Sequence, residues 1–260
     1  MMIMVSIWEA ILLATVQGIT EWLPISSTGH LVIMQELLDI RASVGFDVML
    51  HFGTFLAVLI YMRKDVMAIL KAIVSHSEQS KLATFILTGS IPLAVVGFAF
   101  KTFFEPLFSN MTAVGLALVM NGMVLFMTKY AIGYRKLEFV DSLLVGIAQA
   151  FSIIPGISRS GSTISAAMIR GVDREIAYKY SFMLSLLAIL GATVFKLGDI
   201  DFTQEPLLTV LLAISVSATI GFMALRATSA LVLRGRFHNF AYYCLPLGIT
   251  VTLVSLLTQT

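Results

Sequence analysis

Two short polar stretches break a sequence that is otherwise apolar enough to sit in a bilayer, and one is a diverged copy of the other. The first is Gln17 to His30, QGITEWLPISSTGH; the second, 132 positions on, is Gln149 to Ser162, QAFSIIPGISRSGS. In that register Gln17/Gln149, Ile25/Ile157, Ser26/Ser158 and Gly29/Gly161 are identical, while Thr20/Ser152 and Thr28/Ser160 are similar. Pro24, Pro155, Gly156 and the serine runs stop a helix inside each stretch. Non-helical backbone at membrane depth is tolerated only where protein or a wet cavity surrounds it, so both loops are expected to face the interior and to meet.

The membrane itself follows from composition. Hydrophobic residues make up 58% of the chain and charged residues only 12%, too few polar groups to cover an ordinary solvated surface. A net charge of +2 gives no reason to expect nucleic acid, and the single cysteine, Cys244, excludes an internal disulfide or a thiolate metal cluster. No apolar run has the basic start and small-residue cleavage site of a signal peptide, so the first segment is expected to be retained.

Apolar runs long enough to cross a bilayer are read at about 46–62, 82–104, 112–127, 175–196, 206–225 and 240–257. Pro92 is expected to kink the second of these, and 66–74 is amphipathic. Each polar stretch interrupts a shorter apolar segment, the first running over 3–22 and resuming at His30, the second from about 139 toward Arg170, and each reads as a re-entrant helix-loop-helix hairpin. The expected fold is therefore an all-α polytopic single membrane domain of six transmembrane helices and two hairpins. Its two inverted-topology repeats are approximately 1–132 and 133–260. Lys and Arg gather in 63–81, 129–136, 170–179 and 226–236, which fall on one side and make it cytoplasmic, with both termini external. Glu105, Asp199, Asp201 and Glu205 fall on the other side, with only Arg41, Lys101 and Lys196 against them.

The loops carry the chemistry. Glu21 follows Gln17 by one helical turn, and a carboxylate at this depth is costly unless paired or bound to a cation. Gln17 can orient water or phosphate but cannot act as a base. Ser26, Ser27 and Thr28 precede a helix start, where hydroxyls either cap free N–H groups or join them in an anion site. His30, one turn further on, reads as a proton donor, a phosphate ligand or a structural imidazole. Arg159 is the only basic residue in either loop, and its fork suits phosphate oxygens or a pairing with Glu21. Gly156 lets backbone approach a ligand, and Ser158, Ser160 and Thr163 offer hydroxyls beside a second helix start. Asp47 and His51, one turn apart, line a cavity mouth or face external water, and Asn121 reads as a helix-packing residue.

The pair Gln17-x-x-x-Glu21 with Ser26-Ser-Thr-Gly-His30, followed by Pro155-Gly-Ile-Ser-Arg-Ser-Gly-Ser-Thr163, resembles the two signatures of the undecaprenyl pyrophosphate phosphatases that confer bacitracin resistance. The resemblance covers the whole chain, with Gln17 at a position where many members carry glutamate. It implies a bacterial inner-membrane hydrolase that cuts undecaprenyl pyrophosphate to undecaprenyl phosphate and inorganic phosphate, recycling the lipid carrier of cell-wall synthesis. The nucleophile is then Ser27, activated by Glu21 as its base, or a water in its place, and Arg159 and His30 complete the catalytic set. Gln17, Ser26, Thr28, Gly156, Ser158, Ser160 and Thr163 bind substrate. The resemblance also implies a divalent cation, Mg or Ca, with Glu21 as a ligand, and a site reached from the external side. Membrane lipid is the expected surrounding, and a homo-oligomer is compatible with the chain. The rival reading is a secondary transporter or lipid-carrier flippase, since transporters share the inverted-repeat plan.

The charge pattern is directly testable. In a Cys244→Ser background, an impermeant thiol reagent applied to intact cells should spare Arg135→Cys and label Thr203→Cys; the reverse pattern overturns the orientation.

Overall fold

In the computed structural model, residues 5–75, 80–196 and 206–258 are described. Twelve α-helices occur among them. The first hairpin is α1 (Ile7–Trp22) and α2 (Ser27–Leu37), followed by α3 (Val44–Tyr61) and the amphipathic α4 (Arg63–Val74). Next come α5 (Ser80–Ala99), the single turn α6 (Lys101–Phe104) and α7 (Met111–Met127). The second hairpin is α8 (Phe139–Ala150) and α9 (Arg159–Ile169), and α10 (Arg174–Lys196), α11 (Leu207–Leu233) and α12 (Ala241–Thr258) complete the chain.

Six of these segments are long and apolar enough to cross a membrane: Val44–Tyr61, Ser80–Ala99, Met111–Tyr130, Arg174–Lys196, Leu207–Leu233 and Phe237–Thr258. They match the six expected runs, with two shifts. The second ends at Ala99, because the chain turns through α6 and a 3₁₀ turn at Glu105–Ser109 before Asn110 caps α7. The fifth continues past Leu225 to Leu233, which puts Arg226 on a helix rather than in a loop. Pro92 lies within α5 without ending it. Asp199, Asp201 and Glu205 lie outside the described residues.

The hairpins share their boundaries. Ile7 and Phe139 open α1 and α8, Ser27 and Arg159 open α2 and α9, and Leu37 and Ile169 close them, each pair 132 residues apart. Even the caps correspond, since Ser6 with Glu9 and Glu138 with Asp141 form reciprocal capping boxes at the two entrances. Packing is exchanged between the halves: α1 lies against α11, α8 against α5, α3 against α10 and α7 against α12. Small residues allow the close approach. A Cβ on Gly146 of α8 would fall 2.5 Å from the Gly89 carbonyl of α5, and one on Gly248 of α12 would fall 2.7 Å from that of Gly115 in α7. The largest apolar cluster, containing Trp22, Phe182, Leu125 and Ile164, lies where the hairpins meet α3, α10 and α11.

The basic segments gather at one end of the bundle. Arg135 makes a two-pronged bond to Asp141 (2.6 and 2.8 Å), and Arg170 reaches the same carboxylate at 3.0 Å. These bonds push the Arg135 guanidinium above its ordinary pKa. Arg174 lies against Gly235, and Tyr61 bonds Ser229 at 2.9 Å, which brings the start of α10 and the ends of α3 and α11 to the same end. Asp141 is wholly buried while its arginines are partly exposed, so losing it leaves two guanidinium groups without their partner. Asp141→Ala should cost about 3 kcal/mol, the lower part of the range for breaking a buried pair because the arginines can turn to water. A clear fall in the melting temperature of the purified protein checks this; an unchanged temperature refutes it.

Candidate active site

Each hairpin turns inside the protein, and each turn ends on a serine cap. The Ser158 hydroxyl accepts the Gly161 N–H (3.1 Å), and the Ser26 hydroxyl accepts that of Gly29 (3.2 Å). Ser26 also accepts the N–H of Gly156 (3.1 Å), so one hydroxyl ties the two loops together. It does so from φ +70°, a backbone conformation that a non-glycine residue holds at some cost and that persists only when its surroundings enforce it. Glycine makes the approach feasible: a Cβ on Gly29 would sit 3.0 Å from the Gly156 Cα, and Gly156 itself has φ +106°.

At this junction lies the Glu21 carboxylate, 6% exposed at its side chain. One oxygen accepts the Arg159 Nη2 at 2.5 Å. The other accepts the Ser27 hydroxyl at 2.5 Å and the Gln17 amide at 3.1 Å, with His51 Nε2 3.7 Å away. The His51 ring is oriented by its Nδ1–H, which donates to the Asp47 carbonyl at 2.8 Å and so turns Nε2 toward Glu21. Arg159 also stacks over the Trp22 ring, 5.5 Å from its centroid. The arrangement thus contains a hydroxyl hydrogen-bonded to a carboxylate, and a guanidinium on that carboxylate's opposite oxygen.

Three polar atoms of these side chains have no protein partner although buried: Arg159 Nη1, Gln17 Oε1 and Trp22 Nε1. Such atoms are rare in proteins and ask for a ligand or water. A cavity of about 790 Å³ adjoins Arg159, lined by Glu21, Ser27, Arg159 and His51 on its polar side and by residues such as Leu31, Val48 and Ile189 on its apolar side. Ala42, Val44, Phe108 and Lys196, which also line it, belong to the helix ends opposite the basic segments.

The expected residues separate into two groups. Glu21, Ser26, Ser27, Thr28, Ser158 and Arg159 line the cavity. Gln17 touches it only through Glu21. His30 is turned away: its Nδ1 donates to the Ser26 carbonyl and its Nε2 meets the Tyr243 hydroxyl, both at 2.8 Å, with the two rings stacked. Ser160 bonds the Ser158 hydroxyl (3.1 Å) and the Leu23 carbonyl (3.4 Å), and Thr163 bonds the Arg159 carbonyl and Ser181. Gly156 packs against α7, where a Cβ would meet the Val114 carbonyl at 2.5 Å. The imidazole facing Glu21 belongs instead to His51, whose only sequence signal is a polar i, i+4 pair with Asp47 in an apolar helix. Trp22 carried no signal beyond its place beside Glu21.

Among the described residues no three His, Cys, Asp or Glu side chains cluster in a way that would hold a metal unaided. The Glu21 carboxylate lines the cavity and suits a hard cation that would take its remaining ligands from a phosphorylated substrate.

A sequence model of the family described as "Bacitracin resistance protein BacA" matches residues 10–250. An undecaprenyl-diphosphatase of Halothermothrix orenii is 40% identical, with 96% of this chain and 98% of the relative covered. One of Korarchaeum cryptofilum is 39% identical over 94% of this chain and 97% of the relative. One of Methanococcus maripaludis is 36% identical over 91% and 95%.

The double cap on Ser26 generates a stability prediction. Ser26→Ala leaves the Gly29 and Gly156 N–H groups without their acceptor, and should destabilise the protein by about 1–2 kcal/mol. Thermal unfolding in detergent measures it, and an unshifted transition would remove the hydroxyl's linking role.

Proposed function

We infer, on the premise that this chain belongs to the bacitracin resistance protein BacA family, that it is an integral membrane undecaprenyl-diphosphatase. It cleaves undecaprenyl pyrophosphate into undecaprenyl phosphate and inorganic phosphate. The observation that carries this reading is the Ser27 hydroxyl donating to the same carboxylate whose other oxygen accepts Arg159, on the wall of a cavity with an apolar side. Phosphoryl transfer asks for an activated nucleophile and neutralised equatorial oxygens, and these residues supply both.

In the proposed sequence Ser27 Oγ attacks the terminal phosphorus while Glu21 takes its proton. The bond from that phosphorus to the bridging oxygen breaks, and undecaprenyl phosphate leaves with the electron pair. Water then cleaves the phosphoserine and releases inorganic phosphate. Arg159 turns its free Nη1 to the phosphoryl oxygens, and N–H groups at the starts of α2 and α9 add fixed positive potential. A divalent cation, Mg or Ca, would be held by Glu21 and would neutralise pyrophosphate charge there. The apolar wall, with Leu31, Val48, Leu93 and Ile189, suits the prenyl chain.

The exchanged packing and matching helix ends support the inverted repeat, with the two hairpins re-entrant. The basic end then faces the cytoplasm, and the cavity is entered from the external side of the cell membrane. A transporter would need the same architecture but not a serine bonded to a carboxylate beside an arginine, so the hydrolytic reading is the better supported.

Phosphate release from purified protein, with and without chelator, tests the reading. Ser27→Ala should be nearly inactive while still folded, and Glu21→Gln should fall about 100-fold or more. Arg159→Lys keeps the charge but loses the fork and should also fall steeply. Gln17→Glu should remain active. A Glu21→Gln protein with full turnover and lowered thermal stability would make Glu21 structural and overturn the mechanism.

A further inference from the structure

Asn121 lies in the middle of α7, outside both motifs, and is buried. Its Nδ2 donates to the carbonyl of Pro24 at 2.8 Å, and its Oδ1 accepts the N–H of Ser158 at 3.1 Å. The first partner is three residues from Ser27 in the first loop; the second immediately precedes Arg159 in the other. The amide orientation is fixed by chemistry, because a carbonyl can only accept and a backbone N–H can only donate. Among apolar, hydroxyl and amide side chains of this size, only asparagine both donates and accepts across such a span. Its one further contact is Cys244 Sγ at 3.5 Å.

We propose that Asn121 is a positioning residue that sets the distance and angle between the loop carrying Ser27 and the loop carrying Arg159. The proposal rests on the hydrolytic reading of that site. Among the described residues, the Ser26 to Gly156, Arg159 to Glu21 and Ser160 to Leu23 bonds join one hairpin directly to the other, whereas Asn121 holds both backbones from a third element. Asn121 anchors both to α7, which belongs to neither hairpin and packs mainly against α12. A displacement of about 1 Å in a reacting group can cost on the order of 100-fold in rate.

Two measurements separate positioning from packing. The first is kinetic, with farnesyl pyrophosphate as the probe and released phosphate as the signal. Asn121→Ala should lower kcat about 10- to 100-fold and change KM by less than about threefold. In an Arg159→Ala background the same change should have little further effect, because Asn121 acts through the geometry of Arg159; full additivity would overturn the proposal. Asn121→Asp guards against a collapsed variant. A buried, protonated aspartate can both donate to Pro24 and accept from Ser158, so its activity relative to wild type should exceed that of Asn121→Ala and be highest at low pH. A ratio as low as that of Asn121→Ala at every pH counts against the proposal.

The second measurement needs no turnover. Trp8 and Trp22 are the only tryptophans, and Trp8 is largely exposed, so Trp8→Phe leaves Trp22 as the sole emitter beneath Arg159. Asn121→Ala should shift Trp22 emission in the same direction as Arg159→Ala. An unchanged spectrum in a folded variant overturns the proposal even if the wild type releases no phosphate from this probe, an outcome that would count against the functional reading alone.

Discussion

The buried carboxylate of Glu21 is the constraint on which the rest of the structure depends. An ionised carboxylate in an apolar bundle is affordable only with opposite charge and hydrogen bonds on both oxygens, and Glu21 obtains its charge partner 138 residues away. That requirement forces two chain-distant loops together. Once they meet, each loop must also satisfy its own freed backbone groups without water, which is why both carry serine caps and why glycine faces glycine between them. The small-residue contacts between α5 and α8 and between α7 and α12 then follow as the means of bringing the supporting helices close enough.

The two hairpins keep a common scaffold while dividing the chemistry. Caps, helix starts and helix ends coincide in register, yet the residue in Ser27's place is Arg159, and Ile153 stands where Glu21 would recur. A symmetric site would set two carboxylates, or two guanidinium groups, against each other at close range, which is unfavourable in an apolar interior. Divergence at those positions turns like-charge repulsion into an ion pair. Gln149 illustrates what remains when chemistry is lost. It is the counterpart of Gln17, equally buried, but neither its oxygen nor its nitrogen finds a protein partner.

Much of this was legible in the sequence because it depends on local chemistry. Apolar runs gave the six spans, and proline and glycine gave the loop positions. The encounter of Glu21 with Arg159 followed from the repeat and from the cost of isolated charge. What could not be read was the direction of side chains set by distant partners. His30 turns outward because Tyr243, 213 residues on, donates its hydroxyl to the ring's Nε2, whereas His51 turns inward because its own helix supplies the orienting carbonyl. Asn121 looked like packing since neither partner lies within 30 residues of it. The extension of α11 past Arg226 was hidden for another reason: an arginine near a helix end can remain helical while its charge reaches the interface.

The resting arrangement is itself informative about how the site is held ready. Arg159 and Glu21 neutralise one another, so the site can be assembled without a charged ligand and does not leave a net buried charge for the fold to tolerate. Yet the pairing leaves Arg159 Nη1 and Gln17 Oε1 without partners, one a donor and the other an acceptor. A hydrogen-bonded pair would have been the less costly solution for stability alone. Arg159 lines the cavity, so its Nη1 is a donor for phosphoryl oxygens beside the carboxylate that anchors the guanidinium. Stability is thereby given up at the atoms that a charged ligand would satisfy, while Trp22, stacked beneath the guanidinium, limits how far Arg159 can swing to meet it.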